Sequence, residues 1–128
     1  MWVGAQSDEV VRMAGRLADG WNGWGLGPEE FRAKAKLLAE EAEQAGRRAE
    51  ATWAGIVLVG RDEREVEALL ERRRRSNMID ALAWAGTAEA FVRRLHDLAE
   101  AGATWAIMVV AGPADRRELI AERVLSNL

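Results

Sequence analysis

Cysteine is absent from this chain, and so is tyrosine. Neither thiolate chemistry nor a disulfide framework is therefore open to it. Histidine occurs once, at position 96, and proline twice. A transition-metal centre needs several nitrogen or sulfur ligands, so a single histidine without cysteine argues against a metal site. Positive charge is not in excess: 18 Lys and Arg stand against 21 Asp and Glu, a net charge of −3. That balance argues against a general nucleic-acid or anionic-membrane binder. No apolar run reaches the ~18 residues of a membrane-spanning helix. Met1-Trp2-Val3 lacks the basic start and long apolar stretch of a secretory signal, so the expected compartment is the cytoplasm.

What the chain does have is enough apolar material for one core. Of its 128 residues, 49% are hydrophobic and 30% charged, the profile of a single domain over 1–128. Six tryptophans against two phenylalanines make up all the aromatic content.

The apolar pattern alternates between strand-like and helical stretches. Residues 1–4 read as a short buried strand, and Ser7 as the N-cap of a helix near 8–18 with Asp8 and Glu9 at its positive end. In that helix Val10, Ala14, Leu17 and Ala18 recur at helical spacing. The glycine-rich Gly20–Gly25 segment reads as a short strand running into a loop. Pro28 suits a first helical turn, and Phe31, Ala35, Leu38, Ala42 and Ala45 form one stripe that Gly46 ends. Thr52–Val59 is a buried strand, followed by a capping box at Asp62–Glu65 and a helix turning Val66, Leu69 and Leu70 inward. A helical turn is expected somewhere in 76–85. A helix then starts at Gly86–Glu89 with Phe91, Leu95 and Leu98 on one face, and Thr104–Val110 is a second buried strand. Gly112-Pro113 leads into a last helix that faces Ile120 and Val124 inward. Strand and helix thus alternate in four βα units, which implies a parallel sheet covered by helices, half the complement of a (β/α)8 TIM barrel.

The loop after the first strand consists of Gly4, Ala5, Gln6 and Ser7. Small residues between a parallel strand and a helix expose backbone N–H groups at the helix's positive end, which suits phosphate. A plain capped helix start accounts for the same residues.

Trp2-Val3-Gly4-Ala5-Gln6-Ser7, Arg16-Leu17-Ala18-Asp19-Gly20-Trp21-Asn22 and Pro28-Glu29-Glu30-Phe31 follow one another in the order found in the second half of luciferase-like monooxygenases. Gly46-Arg47, the strand at 53–59, Gly86-Thr87-Ala88-Glu89, Ala101-Gly102-Ala103 and Gly112-Pro113 continue that resemblance over essentially the whole chain. It implies the C-terminal half of a (β/α)8 barrel in which FMN or the deazaflavin F420 carries hydride. The stretch around Arg12 and Gly15–Asn22 is more similar to the deazaflavin-dependent branch, which places F420 ahead of FMN.

By the same resemblance, Gly4, Ala5, Gln6 and Ser7 contact the cofactor phosphate, in part through backbone N–H groups. Val10 stands where one family pattern has a hydroxyl residue, so a further contact there is not carried over. Trp21 is the tryptophan expected nearest the ring or substrate, at the barrel mouth, with Trp24 behind it. Trp2, Trp53 and Trp105 are expected to fill space between sheet and helices.

The resemblance begins at about the fifth strand of the family's barrel. The catalytic histidine or acid of the family lies on the first four strands and has no counterpart here, so no catalytic residue is assigned. The isolated chain is accordingly expected to be inactive or very weak. Its first and last strands should expose apolar edges, which calls for a homo-oligomer or a complementing N-terminal half. The implied partners are a flavin or deazaflavin cofactor and a small organic substrate, with no nucleic acid and no membrane. A non-catalytic half-barrel module is the rival reading, and a small phosphate-ligand binder a third.

Other polar residues have plainer explanations. His96 lies off the apolar stripe of its helix and should face solvent. Arg72–Arg75 should complement a helix C-terminus and pair with Glu65, Glu67 and Glu71. Arg116, after the last strand, either reaches a ligand anion or belongs to a turn before a helix.

Overall fold

The computed structural model describes residues 1–128. Five strands, all paired in parallel where their register is defined, run in the order β1–β2–β3–β4, and β5 also pairs with β3. The chain divides into two compact units, Met1–Ala54 with Asp97–Ile107, and Gly55–His96 with Met108–Leu128.

In the first unit, β1 (Trp2–Gly4) pairs with β2 (Gly20–Trp24), and β2 with the opening residues of β3 (Glu50–Gly60). Helix α1 (Asp8–Leu17) joins β1 to β2, and α2 (Pro28–Gln44) joins β2 to β3. Pro28 occupies the first helical position of α2, where the missing N–H costs nothing. At its other end Gly46 takes φ +67 and lets Arg47 N–H close back on Ala42 O at 2.8 Å. Helices α1 and α2 meet at Gly15, where a Cβ would come within 2.7 Å of Leu38 O and Glu41 Cβ. Trp21, Phe31, Leu38 and Trp53 form the core, with Trp21 stacked on Phe31 at 5.4 Å. Trp53 donates its indole N–H to Leu26 O at 2.8 Å, so this large ring is buried without an orphan donor.

In the second unit, the rest of β3 is followed by α3 (Glu63–Arg75), a 3-10 turn at Ile79–Ala81, β4 (Trp84–Thr87) and most of α4 (Ala88–Glu100). The end of β5 (Trp105–Val110) and α5 (Arg116–Arg123) complete it. Asp62 caps α3 by accepting from Glu65 N–H at 2.8 Å. The reciprocal arm of the capping box differs: Glu65 Oε2 takes the N–H of Arg61 rather than that of Asp62. Phe91 is buried and stacks on Trp84 at 4.9 Å.

Three expectations need correction. Trp84–Thr87 forms a fifth strand in register with Val57–Gly60. Four residues with a central glycine carry too little alternation to reveal it. Strands β1 and β5 are not buried: Trp2 is 52% exposed and Trp105 68%. In β5 the residues alternate, with Trp105, Ile107 and Val109 sharing the exposed face. An unbroken apolar run therefore does not by itself distinguish a strand covered on both faces from one covered on a single face. Finally, the buried face of α1 is Val11, Ala14 and Gly15, while Leu17 points outward.

Candidate functional site

The loop between β1 and α1 is built almost entirely by attachments to β2. Trp21 Nε1 donates to Ala5 O at 2.7 Å, and Gln6 Nε2 donates to Trp24 O at 2.8 Å. Ser7 supplies both ends of the helix start. Its Oγ accepts from Val10 N–H at 3.4 Å, and its carbonyl accepts from Val11 N–H at 3.1 Å. The N–H groups of Asp8 and Glu9, in the first turn, have no acceptor within the helix. Nothing lies within 4 Å of the position a Cβ would take on Gly4, so the space above that glycine is open.

The charge around the loop is partly balanced. Lys34 reaches from α2 to Asp8 Oδ1 at 2.8 Å. That hydrogen bond, and then the lysine charge, hold the Asp8 carboxyl below the usual carboxylate range. The helix start thus keeps its open N–H groups while one of its two carboxylates is engaged elsewhere.

Trp21 was expected at the mouth of the site, but the structure places it underneath. Its side chain is 0% exposed, and its offering to the loop is the hydrogen bond to Ala5. Trp24, at the end of β2, is half exposed. On the face of β2 opposite the Trp21 side chain, Asn22 Nδ2 donates to Thr52 Oγ1 at 2.9 Å, and Thr52 Oγ1 donates to Trp21 O at 3.3 Å. Asn22 and Thr52 line a cavity of about 360 Å³ with Trp2, Glu50, Trp105 and Ile107. Trp2 and Trp105 therefore do not fill space between sheet and helices; they face this cavity. Trp53 does fill the core.

His96 is exposed on α4 as expected. Arg116 is neither a free anion ligand nor a simple turn residue. Its side chain is 2% exposed, and Nη1 meets Val59 O at 3.3 Å and Glu65 Oε2 at 3.0 Å. Asp115 binds Nη2 at 2.9 Å and Nε at 3.0 Å, and Arg61 bridges Asp115 and Glu65 at 2.8 and 2.9 Å. The Arg116 hydrogen bond, reinforced by the Arg61 N–H, pulls the Glu65 carboxyl down to about 2. Arg116 and Arg61 also hold Asp115 well below its ordinary range, and Asp115 raises Arg116 in return. This cluster went unread in the sequence, although one signal was present. Arg116 precedes Leu119 and Ile120 by three and four residues, which puts it on the buried face of α5.

The glutamates assigned to the arginine run also differ. Glu67 and Glu71 take Arg74, and Glu71 takes Arg75, while Glu65 serves Arg61 and Arg116 instead.

Residues 1–78, more than half the chain, match the family model described as luciferase-like monooxygenase. The chain belongs to the luciferase-like monooxygenase family. The match takes in the whole Gly4–Ser7 loop, both helices of the first unit and β3. No curated protein matches the sequence.

Among solved structures, this luciferase-like chain resembles the coenzyme F420 dependent tetrahydromethanopterin reductase of Methanopyrus kandleri, at 20% identity and a TM-score of 0.74. That likeness covers 98% of this chain and 50% of the reductase. The EDTA monooxygenase of Chelativorans sp. BNC1 matches at 17% identity and a TM-score of 0.73, over 96% of this chain and 42% of that one. The oxygenating constituent of 3,6-diketocamphane monooxygenase from Pseudomonas putida, in complex with FMN, matches at 14% identity and a TM-score of 0.63. There the coverage is 99% of this chain and 48% of the other. The chain thus spans about half the length of the structures it matches, and its parallel α/β fold is that of half a TIM barrel.

Proposed function

We propose that this chain is the phosphate-holding half of an F420- or FMN-dependent oxidoreductase, with Gly4, Ala5, Gln6 and Ser7 at the cofactor's phosphate. The observation that carries this reading is the loop itself: open above Gly4, tied to β2 from beneath and ending at unpaired helix N–H groups. The residues fit a phosphate. Gly4 leaves room for close approach, Ser7 presents an exposed hydroxyl, and the first-turn N–H groups point a partial positive charge outward. When bound, the cofactor would supply the hydride chemistry. The chain's own residues would bind and orient it: Trp21 sets the height of Ala5, Gln6 spans to Trp24, and Lys34 draws the Asp8 carboxylate aside. F420 is ranked ahead of FMN on the sequence around Arg12 and Gly15–Asn22.

The same reading makes the isolated chain inactive or nearly so, because no residue of it is assigned to the reacting atoms. It also calls for a cover over the exposed face of Trp2, Trp105 and Ile107, supplied by a complementary half or a second copy. Sedimentation at micromolar concentration separates these: a dimer favours the second copy, and a monomer that binds a separately expressed N-terminal half favours the complement.

The decisive test is tryptophan fluorescence titration of the 128-residue chain with F420 and with FMN. Saturable quenching that inorganic phosphate competes away is the expected result. No change with either cofactor would overturn the loop assignment.

A further inference from the structure

Helix α3 ends in four consecutive arginines, and the structure divides them into two pairs. Arg74 meets Glu67 at 3.1 Å and Glu71 at 3.4 Å, and Arg75 meets Glu71 at 3.5 Å. Arg72 and Arg73 have no acidic partner.

These two are not needed to cap the helix either. The turn that follows does that work through its own backbone. Ser76 and Met78 N–H both close on Arg73 O, at 3.2 and 3.0 Å, and Asn77 N–H closes on Arg74 O at 3.1 Å. Asn77 adopts φ +53 to make the turn, and Ser76 Oγ adds a bond to Arg72 O at 3.2 Å. With those carbonyls occupied, the guanidinium of Arg72 is left without a protein acceptor. Arg73 spends Nη2 on Met78 O at 3.0 Å, but its Nε is buried without any partner. A buried donor left unpaired costs free energy, so such an atom in a native fold asks for an acceptor.

Both arginines line a cavity of about 400 Å³ within the second unit. Leu58, Leu69 and Met78 supply apolar wall, and Gly112-Pro113 contributes the loop after β5. Gly112 holds φ +92, and a Cβ there would stand 3.0 Å from Leu58 Cδ1, so glycine keeps this loop close to the wall. Leu58 lies near the carboxyl end of β3 and Gly112 just past that of β5. That is the end of parallel strands at which α/β proteins take their ligands.

We propose that this cavity binds a small organic anion, its carboxylate or phosphate on Arg72 and Arg73 and its apolar body against Leu58, Leu69 and Met78. Guanidinium pairs recognise both oxyanions through charge-assisted, planar hydrogen bonds. The site consists of second-unit residues only and stands whether or not the Gly4–Ser7 loop holds a cofactor.

The test is an NMR titration of the labelled full chain with phenyl phosphate, benzoate, inorganic phosphate and benzyl alcohol. The signals to follow are the Met78 methyl, the Arg73 Nε–H and the Gly4–Ser7 amides. Phenyl phosphate or benzoate should shift the Met78 and Arg73 signals saturably, and whichever binds more tightly identifies the oxyanion. Arg72→Gln, at an exposed position, should weaken that binding about tenfold, the loss of a charge-assisted pair. Arg73→Lys, which keeps the charge, should weaken it less. Benzyl alcohol binding as tightly as benzoate would overturn the anionic assignment, as would an unchanged affinity in Arg72→Gln or no saturable shift with either organic anion. Failure of the loop reading would appear separately, as Gly4–Ser7 amides that inorganic phosphate leaves unmoved.

Discussion

The indole N–H of Trp21 donates to the carbonyl of Ala5 at 2.7 Å, which ties the loop after β1 to the core beneath it. The ring also stacks on Phe31 at 5.4 Å, so a single buried side chain couples loop height to helix α2. Trp21→Phe keeps most of the stacking and deletes the hydrogen bond, leaving Ala5 O to find another donor. Stability should fall by about 1–2 kcal/mol. Cofactor affinity should fall by roughly three- to tenfold as the loop loosens. Thermal melting and fluorescence titration of the same variant check both, and unchanged affinity would mean that the loop's position does not matter to binding.

Ser7→Ala removes the N-cap of α1. The expected destabilisation is about 1 kcal/mol. If the hydroxyl also meets the cofactor phosphate, Ser7→Gly should weaken binding while costing little stability, since glycine caps nearly as well as serine but offers no hydroxyl. Equal binding by wild type and Ser7→Gly would leave the hydroxyl with a capping role alone.

Gly15→Ala should destabilise the protein even though alanine is the better helix former. The propensity gain is about 1 kcal/mol. Against it, the new methyl would sit 2.7 Å from Leu38 O, a backbone atom that cannot step aside without moving α2. Overpacking of this kind costs about 1–3 kcal/mol, so the net effect should be a lower melting temperature. A raised melting temperature would show that α1 and α2 have slack between them.

Acid should weaken the second unit through Glu65. Its carboxyl is depressed from 4.5 to about 2 in the folded protein. A depressed carboxyl contributes stability that is fully present above the unfolded value and lost as pH falls toward the folded one. The window therefore runs from about 4.5 down to about 2. Discounted for solvent screening of a partly exposed group, the contribution is on the order of 1–2 kcal/mol. Asp115, also depressed, acts in the same direction. Glu65→Gln should flatten the acid limb of a stability-versus-pH curve measured by denaturant unfolding, and a limb of unchanged slope would remove Glu65 as its source. Arg116→Ala should be worse than Glu65→Gln at neutral pH, because it empties a buried position and leaves Val59 O unpaired and Glu65 and Asp115 with Arg61 as their remaining cation.

Apart from the strand β4, the order of strands and helices was legible from the chain alone, because helix period, caps and breakers are local properties. Ser7, Pro28, Gly46 and Asp62 mark ends that any neighbours would leave in place, and the stripe of Phe31, Leu38 and Ala42 names its own buried face. The loop residues Gly4–Ser7 were legible for the same reason: they fall between a strand and a cap. Which side of a strand meets a neighbour is a different kind of fact. Trp53 and Trp105 both lie in apolar strand runs, yet the first is buried and the second open, a choice made by what packs on each face of the sheet. Arg72 and Arg74, two residues apart on α3, have the same chemistry but point to different sides of the helix. Arg74 finds its two glutamates along its own helix, a local pairing, whereas only folding brings the Gly112-Pro113 loop to the cavity that Arg72 lines. Local sequence sets what each segment can form; the direction of a side chain, and so its partner, depends on segments distant in the chain.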